Sequence, residues 1–304
     1  MNGQKITCPG YKKGENKPCV HYGGFGKCEG RYYYCIEYFK RKKPILSFSS
    51  IKDFERCPYR FYLSQFEGIQ LREEYLSVHM KMGIHLHRLV KDEHKLKPVK
   101  YSYDEEIYQS ITYGVYSKIK DYELIPENLE KEVRIEKDNL HGIIDLAGDN
   151  FFGEIKFTSK PDLYLHSFTA LSQLEFYFYL SDQFELAFML PIRIPGLKQS
   201  KDEENEKFLT RVVKDIRRRP SYYFPHLKEE KRPFKWGLRF YKCEFDLHEF
   251  KKRMEWISRE IQRCCQVDYF PQRKVNCFFP SECEYLSICE TGNINEGIYE
   301  RRIR

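Results

Sequence analysis

The sequence predicts an α/β fold in which a mixed β-sheet is flanked by helices. Three short segments with alternating apolar residues follow one another in the middle of the chain, and we interpret them as consecutive strands. A long apolar helix follows these segments, and a further strongly apolar strand comes after it. Hairpins make neighbouring strands antiparallel, whereas a crossover helix joins parallel strands. The order of elements therefore predicts a mixed sheet.

The remaining elements follow from periodicity and turn residues. The first helix begins near Ser49 or Ser50, and Asp53 has capping-box spacing from Ser50. A charged loop is expected over Lys198–Lys207. The other predicted helices span Tyr75–His94, Tyr103–Tyr122, Leu163–Ser181 and Leu247–Cys265, and the predicted strands span Glu132–Glu136, Leu140–Ala147, Phe151–Phe157, Phe184–Ile194 and Arg239–Phe245.

Composition indicates a globular protein that can bind a polyanion. The chain has 304 residues, of which 41% are hydrophobic and 32% charged. No apolar leader and no membrane-spanning run is visible, so we expect a cytoplasmic protein without a membrane partner. The net charge of +7 and basic runs such as Arg217–Arg219 permit nucleic-acid binding. Such runs are equally typical of solvated faces.

The first 45 residues differ from the rest of the chain because they are rich in Gly, Lys and Cys. We therefore expect an extension over 1–45, a core over 46–270 and a C-terminal segment over 271–304. A segment that can bury so little apolar surface needs a cross-link in order to fold, and a structural zinc ion is the simplest one. The alternative is a set of unrelated thiols. The candidate zinc ligands are Cys8, Cys19, Cys28 and Cys35.

The predicted hairpin carries the candidate catalytic residues. Asp145 lies near the end of one strand, and Glu154 and Lys156 lie two apart on the next, so they share a face. Converging carboxylates suit Mg²⁺ or Mn²⁺, and such an ion activates water for attack on a phosphodiester. A nearby lysine can stabilise developing charge. The alternative is that these residues lie on an exposed strand face and form an ordinary salt bridge.

The order and spacing of these residues resemble the PD-(D/E)XK nuclease superfamily, in its RecB-like branch. That branch has a helix upstream with a Gly-x-x-x-His element whose histidine binds the metal. The matching residues here are Gly83 and His87, whereas the neighbouring His85 does not have the required distance from Gly83. The resemblance implies a restriction-endonuclease-like sheet and a metal site that includes His87.

A second element of the resemblance lies downstream. The branch has a Gln-x-x-x-Tyr element on the helix after the catalytic strand, and Gln173 and Tyr177 match it. Residues four apart share one helix face. The resemblance implies that this pair positions DNA or the catalytic lysine. It also implies that the backbone carbonyl of Ile155 completes the metal shell.

Four cysteines extend the resemblance to the iron–sulfur exonucleases of CRISPR adaptation and the AddB-type nucleases. One lies on the first helix and three lie near the C-terminus, and four thiolates can hold a [4Fe–4S] cluster. Zinc and free buried thiols are the alternatives. The candidate cluster ligands are Cys57, Cys277, Cys283 and Cys289, whereas Cys243, Cys264 and Cys265 are interpreted as packing residues.

The resemblance covers about residues 46–290 and implies cleavage of DNA, as an exonuclease on single strands or frayed ends. No phosphate-binding helicase loop is present in the sequence, so unwinding would come from a partner. Two alternatives stay open. The chain could be a non-catalytic nucleic-acid-binding module, or a subunit that works only within a recombination, repair or CRISPR-adaptation complex.

Overall fold

The computed structural model describes residues 45–91, 103–126, 128–161, 168–228, 236–278 and 282–301. The chain forms two compact units. Of the described residues, the first unit contains those up to 75, 138–141 and those from 251 onward, and the second contains those within 76–137 and 142–250. The predicted zinc ligands Cys8, Cys19, Cys28 and Cys35 lie outside the described residues.

The described helices and strands are named here in chain order. The helices are α1 (Phe48–Arg56), α2 (Pro58–Phe61), α3 (Val78–Lys91), α4 (Tyr103–Asp121), α5 (Phe168–Leu180), α6 (Asn205–Arg218), α7 (Pro220–Tyr223), α8 (Leu247–Val267) and α9 (Leu286–Thr291). The strands are β1 (Ile69–Leu71), β2 (Glu130–Lys137), β3 (Leu140–Ala147), β4 (Phe151–Thr158), β5 (Leu186–Arg193), β6 (Leu238–Tyr241) and β7 (Tyr299–Arg301). None of these helices is long and apolar enough to cross a membrane.

The second unit is built on a five-stranded sheet in the order β2-β3-β4-β5-β6. Strands β4 and β5 are parallel, with Phe151 opposite Leu186 and Thr158 opposite Arg193. The β3–β4 and β5–β6 pairs are antiparallel. The connection from β4 to β5 contains α5, as a parallel pair requires. The mixed sheet flanked by helices confirms the predicted fold class.

One face of this sheet carries the main apolar core. Ile155 and Leu190 pack there against buried side chains of α3, α4 and α6. Helix α6 contributes Phe208, Val212 and Ile216, spaced four apart along one face. The prediction of a charged loop over Lys198–Lys207 was therefore wrong at its end, because α6 already begins at Asn205. The spacing of its three apolar residues was a readable signal.

The first unit begins with a helix whose N-cap is Ser47. The Ser47 side chain accepts a hydrogen bond from the backbone N–H of Ser50, and the Ser50 side chain accepts one from the backbone N–H of Ser47. The prediction of a cap at Ser49 or Ser50 was wrong, because Ser50 is the third helical residue rather than the cap. The capping pair fixes where α1 starts, and with it the position of Cys57 at its C-terminal end.

The last strand of the described chain pairs with an early strand in the first unit. Strands β1 and β7 form an antiparallel pair, in which Gln70 lies opposite Glu300. Neither strand was predicted, because each has only three residues and is defined by its partner. An apolar cluster lies beside this pair and contains Leu63, Ile69, Cys277, Cys283, Tyr285, Ile288 and Tyr299.

Candidate active site

Glu154 lies at the centre of the polar group on β4 and is buried. Its Oε1 accepts hydrogen bonds from Lys156 Nζ and from Gln173 Nε2, the latter at 2.8 Å. Its Oε2 is buried and has no hydrogen-bond partner among the described residues. Burial raises the pKa of the Glu154 carboxyl above its ordinary range, and the nearby Lys156 ammonium opposes that rise.

An unpartnered buried carboxylate oxygen is costly unless a proton or a cation reaches it. The atom left without a partner is therefore of the kind that a hard divalent cation binds. This donor fits Mg²⁺ or Mn²⁺ better than a soft metal, because oxygen ligands favour hard cations.

Asp145 lies on β3, beside Glu154. The antiparallel register pairs Leu146 with Gly153, so the preceding residue of β3 comes level with Glu154. Asp145 Oδ2 accepts a hydrogen bond of 2.7 Å from the backbone N–H of Ile155. The carboxylate is thereby held at the hairpin, with its other oxygen turned to a histidine on α3.

That histidine is His87, whose Nδ1 lies 3.3 Å from Asp145 Oδ1. Burial disfavours the protonated ring, but the hydrogen bond and charge of Asp145 outweigh burial and raise the pKa of His87. For His85, burial and the charge of Arg88 both lower the pKa. The structure thus places His87, rather than His85, against the candidate metal site.

Helix α5 brings two further predicted residues to the hairpin. Gln173 Nε2 donates to Glu154 Oε1 and, at 3.0 Å, to Tyr177 Oη. The Tyr177 hydroxyl donates to the carbonyl oxygen of Ile143 at 2.7 Å, and burial raises the pKa of Tyr177. A Cβ atom at Gly142 would lie 2.7 Å from Tyr177 Cε1, so the close fit of the ring requires glycine there. Sequence reasoning missed the roles of Gly142 and Ile143.

The side chains around Glu154 do not form a complete set of metal ligands. Within the ranges that the structure describes, no three His, Cys, Asp or Glu side chains are positioned to hold a metal ion. His87 and Asp145 are paired with each other, and Glu154 Oε1 is paired with Lys156. A cation would have to displace these partners. The role assigned to the Ile155 carbonyl stays a prediction, because the contact observed at Asp145 comes from the Ile155 amide.

The four cysteines of the predicted cluster site line a single cavity of about 290 Å³ in the first unit. Cys57, Cys277 and Cys283 are buried, and Cys289 is partly buried. Burial, and then the neighbouring thiols Cys283, Cys277 and Cys57, raise the pKa of Cys289 to about 11. The side chains that share the cavity with the cysteines include the basic residues Arg56, Arg60, Arg273 and Lys274.

Two N–H groups lie close to these sulfurs. The backbone N–H of Arg273 donates to Cys57 Sγ at 3.4 Å, and Arg60 Nη1 lies 3.9 Å from Cys283 Sγ. Burial and the neighbouring thiols nevertheless raise the pKa of Cys277 and Cys289, so these donors do not by themselves favour the thiolate form. The packing role predicted for the other cysteines holds for the buried Cys264 and Cys265 and is wrong for Cys243, which is exposed.

The sheet, the carboxylate hairpin and the two helices that contact it fit the nuclease fold expected from the sequence. The model of the PD-(D/E)XK nuclease superfamily matches residues 45–290. The chain therefore belongs to the PD-(D/E)XK nuclease superfamily, and the restriction-endonuclease-like sheet expected from the sequence is confirmed. No curated protein and no solved structure matches the chain.

Proposed function

We propose that this protein is a divalent-metal-dependent DNA nuclease, acting as an exonuclease on single-stranded or frayed ends. The observation that carries the proposal is the buried Oε2 of Glu154, which lacks a partner within the described part of the chain and lies beside a second carboxylate. Asp145, Glu154 and His87, with the carbonyl of Ile155, would hold Mg²⁺ or Mn²⁺. Such an ion supplies Lewis acidity to the phosphodiester and lowers the pKa of bound water.

The remaining polar residues would position the Glu154 side chain and the scissile phosphate rather than bind the cation. Lys156 Nζ is held on Glu154 Oε1, so its positive charge lies beside the carboxylate where the scissile phosphate would bind. Gln173 and Tyr177 tie Glu154 to the carbonyl oxygen of Ile143, and so connect α5 to both strands of the hairpin. This network restricts the Glu154 side chain before any substrate arrives.

We assign the protein to the RecB-like branch on the same contacts. His87 on α3 contacts Asp145, and Gln173 on α5 contacts Glu154, so both helix elements of that branch reach the carboxylates. An exposed salt-bridged strand face does not account for this arrangement, since Glu154 is only 3% exposed. A non-catalytic module would have no need to keep a buried carboxylate oxygen unpartnered.

We propose that Cys57, Cys277, Cys283 and Cys289 hold a [4Fe–4S] cluster. Support comes from the shared cavity of about 290 Å³ and from its basic lining. Zinc is the alternative occupant, since it also accepts four thiolates, and the described residues show no preformed ligand group for either metal. A cluster spreads its ligand sulfurs around several iron atoms and fits a wider pocket.

Partners and domain roles are part of the same proposal. DNA is the substrate, and a helicase or a recombination or CRISPR-adaptation complex would supply unwinding. The Cys-rich segment 1–45 would bind zinc and be separable from the core at 46–270. Elemental analysis of the full chain and of a chain lacking 1–45 would test this, because one zinc should disappear with the segment.

A nuclease assay tests the central proposal. Protein purified without oxygen is incubated with linear and circular single-stranded DNA and with duplex DNA, with and without Mn²⁺. An exonuclease should degrade the linear single strand from an end, leave the circle intact and need Mn²⁺. Cleavage of the circle would replace the exonuclease by an endonuclease. Absence of cleavage of every substrate would remove the proposed activity.

A further inference from the structure

Arg60 lies beside the cysteine pocket, and each of its three side-chain nitrogens contacts a different partner. Its Nε donates to Asp53 Oδ1 at 2.7 Å, and its Nη2 lies 3.2 Å from Glu284 Oε1. Its Nη1 donates to Cys283 Sγ at 3.9 Å. The side chain is only 15% exposed. Because a guanidinium is planar and rigid, two nitrogens held by carboxylates also fix the direction of the third.

These contacts connect the two segments of the first unit that build the pocket. Arg60 is on α2, which begins directly after Cys57. Glu284 directly follows Cys283, which is 223 residues from Arg60 in the chain. The Cζ of Arg60 also lies 5.6 Å from the ring centroid of Tyr285. One largely buried side chain therefore joins the helix beside the first predicted metal ligand to the segment that carries the other three.

The two carboxylates determine what Arg60 offers to the sulfur. Asp53 and Glu284 together offset the charge of the single guanidinium, so its contribution to the pocket is not excess positive charge. What reaches Cys283 is one N–H group with a fixed direction. A hydrogen bond to a cysteine sulfur withdraws electron density from a metal-bound thiolate and thereby raises the reduction potential of an iron–sulfur cluster. The contact therefore acts through its geometry.

We propose that Arg60 is a positioning residue that holds Cys283 as a metal ligand by donating a hydrogen bond from Nη1 to its sulfur. This rests on the proposed metal site of the four cysteines and is independent of DNA cleavage. Asp53 and Glu284 aim the guanidinium, so the sulfur is oriented before a metal arrives. Outer partners of this kind orient metal ligands and set the affinity for the metal. The role is the same for a [4Fe–4S] cluster and for zinc, because both bind thiolate sulfur.

The rate at which bound metal is lost tests this role. Full-length protein purified without oxygen is mixed with an excess of a chelator that changes colour on binding iron or zinc. Arg60→Lys should speed metal loss about tenfold, as is typical when the outer partner of a metal ligand is removed. A single ammonium can still pair with Asp53, but it does not reproduce the fixed fork of the guanidinium. If the metal is iron, a redox titration followed by electron paramagnetic resonance should also give a lower midpoint potential than in the parent.

Glu284→Gln separates the hydrogen bond to sulfur from the stability that the ion pair supplies. The oxygen of the Gln side chain still accepts from Arg60 Nη2, so Nη1 keeps its direction towards Cys283 while the ion pair is lost. Any loss of folding stability appears in the melting temperature of this variant. Metal should leave it at the parent rate, and the midpoint potential should not fall, because a negative charge has been removed.

Arg273→Gln separates the hydrogen bond to sulfur from the charge of the pocket lining. Arg273 shares the pocket with the cysteines, and its Nη1 donates to the carbonyl oxygen of Glu55 at 2.5 Å. The N–H group that donates to Cys57 belongs to the Arg273 backbone, so the substitution keeps it. The variant loses a positive charge but keeps that hydrogen bond to sulfur, and metal should leave it at the parent rate.

Several outcomes overturn the proposal. A metal-loaded parent whose Arg60→Lys variant loses metal no faster overturns the role of Arg60 alone, whereas a parent without iron or zinc overturns the metal site as well. Equal acceleration in Glu284→Gln or Arg273→Gln would reduce the effect to ion-pair stability or to lining charge. If Arg60→Lys does not fold, Asp53→Ala carries the test, because it removes the anchor of Nε and should also speed metal loss. None of these measurements needs cleavage of DNA, so the nuclease proposal stands or falls separately.

Discussion

Around Glu154 the protein supplies most of the hydrogen bonds itself, whereas around the four cysteines it leaves a cavity of about 290 Å³. In the carboxylate site, Gln173, Tyr177 and the Ile155 amide hold the oxygens in place without any ligand. In the cysteine pocket, the nearest donors lie at 3.4 Å and 3.9 Å from sulfur. The first site is thus ordered by its own side chains, whereas the second contains a cavity, and the proposed roles of the two sites predict different responses to substitution.

The largest expected effect is on catalysis. Glu154→Gln should lower the rate of metal-dependent DNA cleavage by about 10³-fold, equivalent to about 4 kcal/mol, because it removes a cation ligand. The melting temperature should not fall, because a neutral amide removes the cost of burying a charged carboxylate. That same burial raises the pKa of Glu154. Glu185→Gln is the control, because Glu185 is 67% exposed and pairs only loosely with Lys242. Full activity in Glu154→Gln would remove the site assignment.

The cysteine pocket should respond in the opposite way. Cys57→Ser or Cys283→Ser should remove the broad visible absorption of anaerobically purified protein and lower the melting temperature by about 5 °C or more. Cys243→Ser should change neither property, because Cys243 is exposed. Colourless parent protein with one zinc per chain would replace the cluster by zinc. A stable, colourless protein without metal would leave only packed thiols.

A smaller effect is expected for the histidine on α3. His87→Ala should raise the Mn²⁺ concentration needed for half-maximal cleavage about tenfold, which equals about 1.4 kcal/mol of binding energy. His85→Ala should shift it far less, because the contact with Asp145 comes from His87. Equal shifts for the two variants would mean that α3 is merely destabilised.

The smallest effects concern two glycines in different surroundings. Gly142→Ala should cost about 1–3 kcal/mol of unfolding free energy, because its Cβ would meet Tyr177 at 2.7 Å. Gly83→Ala, within α3, should stabilise the protein by about 0.5–1 kcal/mol, since the added Cβ would meet no described atom within 4 Å outside its own stretch of helix backbone. Denaturant unfolding measures both. A destabilised Gly83→Ala would show that this position serves more than helix geometry.

Much of the carboxylate site could be predicted from the sequence because its residues lie close together along the chain. Asp145, Glu154 and Lys156 lie on one hairpin, and alternation alone assigns Glu154 and Lys156 to one face. The helix residue Gln173 was paired with Tyr177 by their spacing of four. What spacing could not give is the bond from Tyr177 to Ile143, because it depends on how α5 packs on the sheet.

The sequence by itself determined the order of the five sheet strands, the α/β class and the candidate residues, since these follow from short-range periodicity and motif spacing. Only the tertiary structure decided which groups meet. It set His87 Nδ1 against Asp145, placed the four predicted cysteines around one cavity, and joined the Tyr177 hydroxyl to the carbonyl oxygen of Ile143. These contacts join segments far apart in the chain, and long-range packing leaves no periodic trace in sequence.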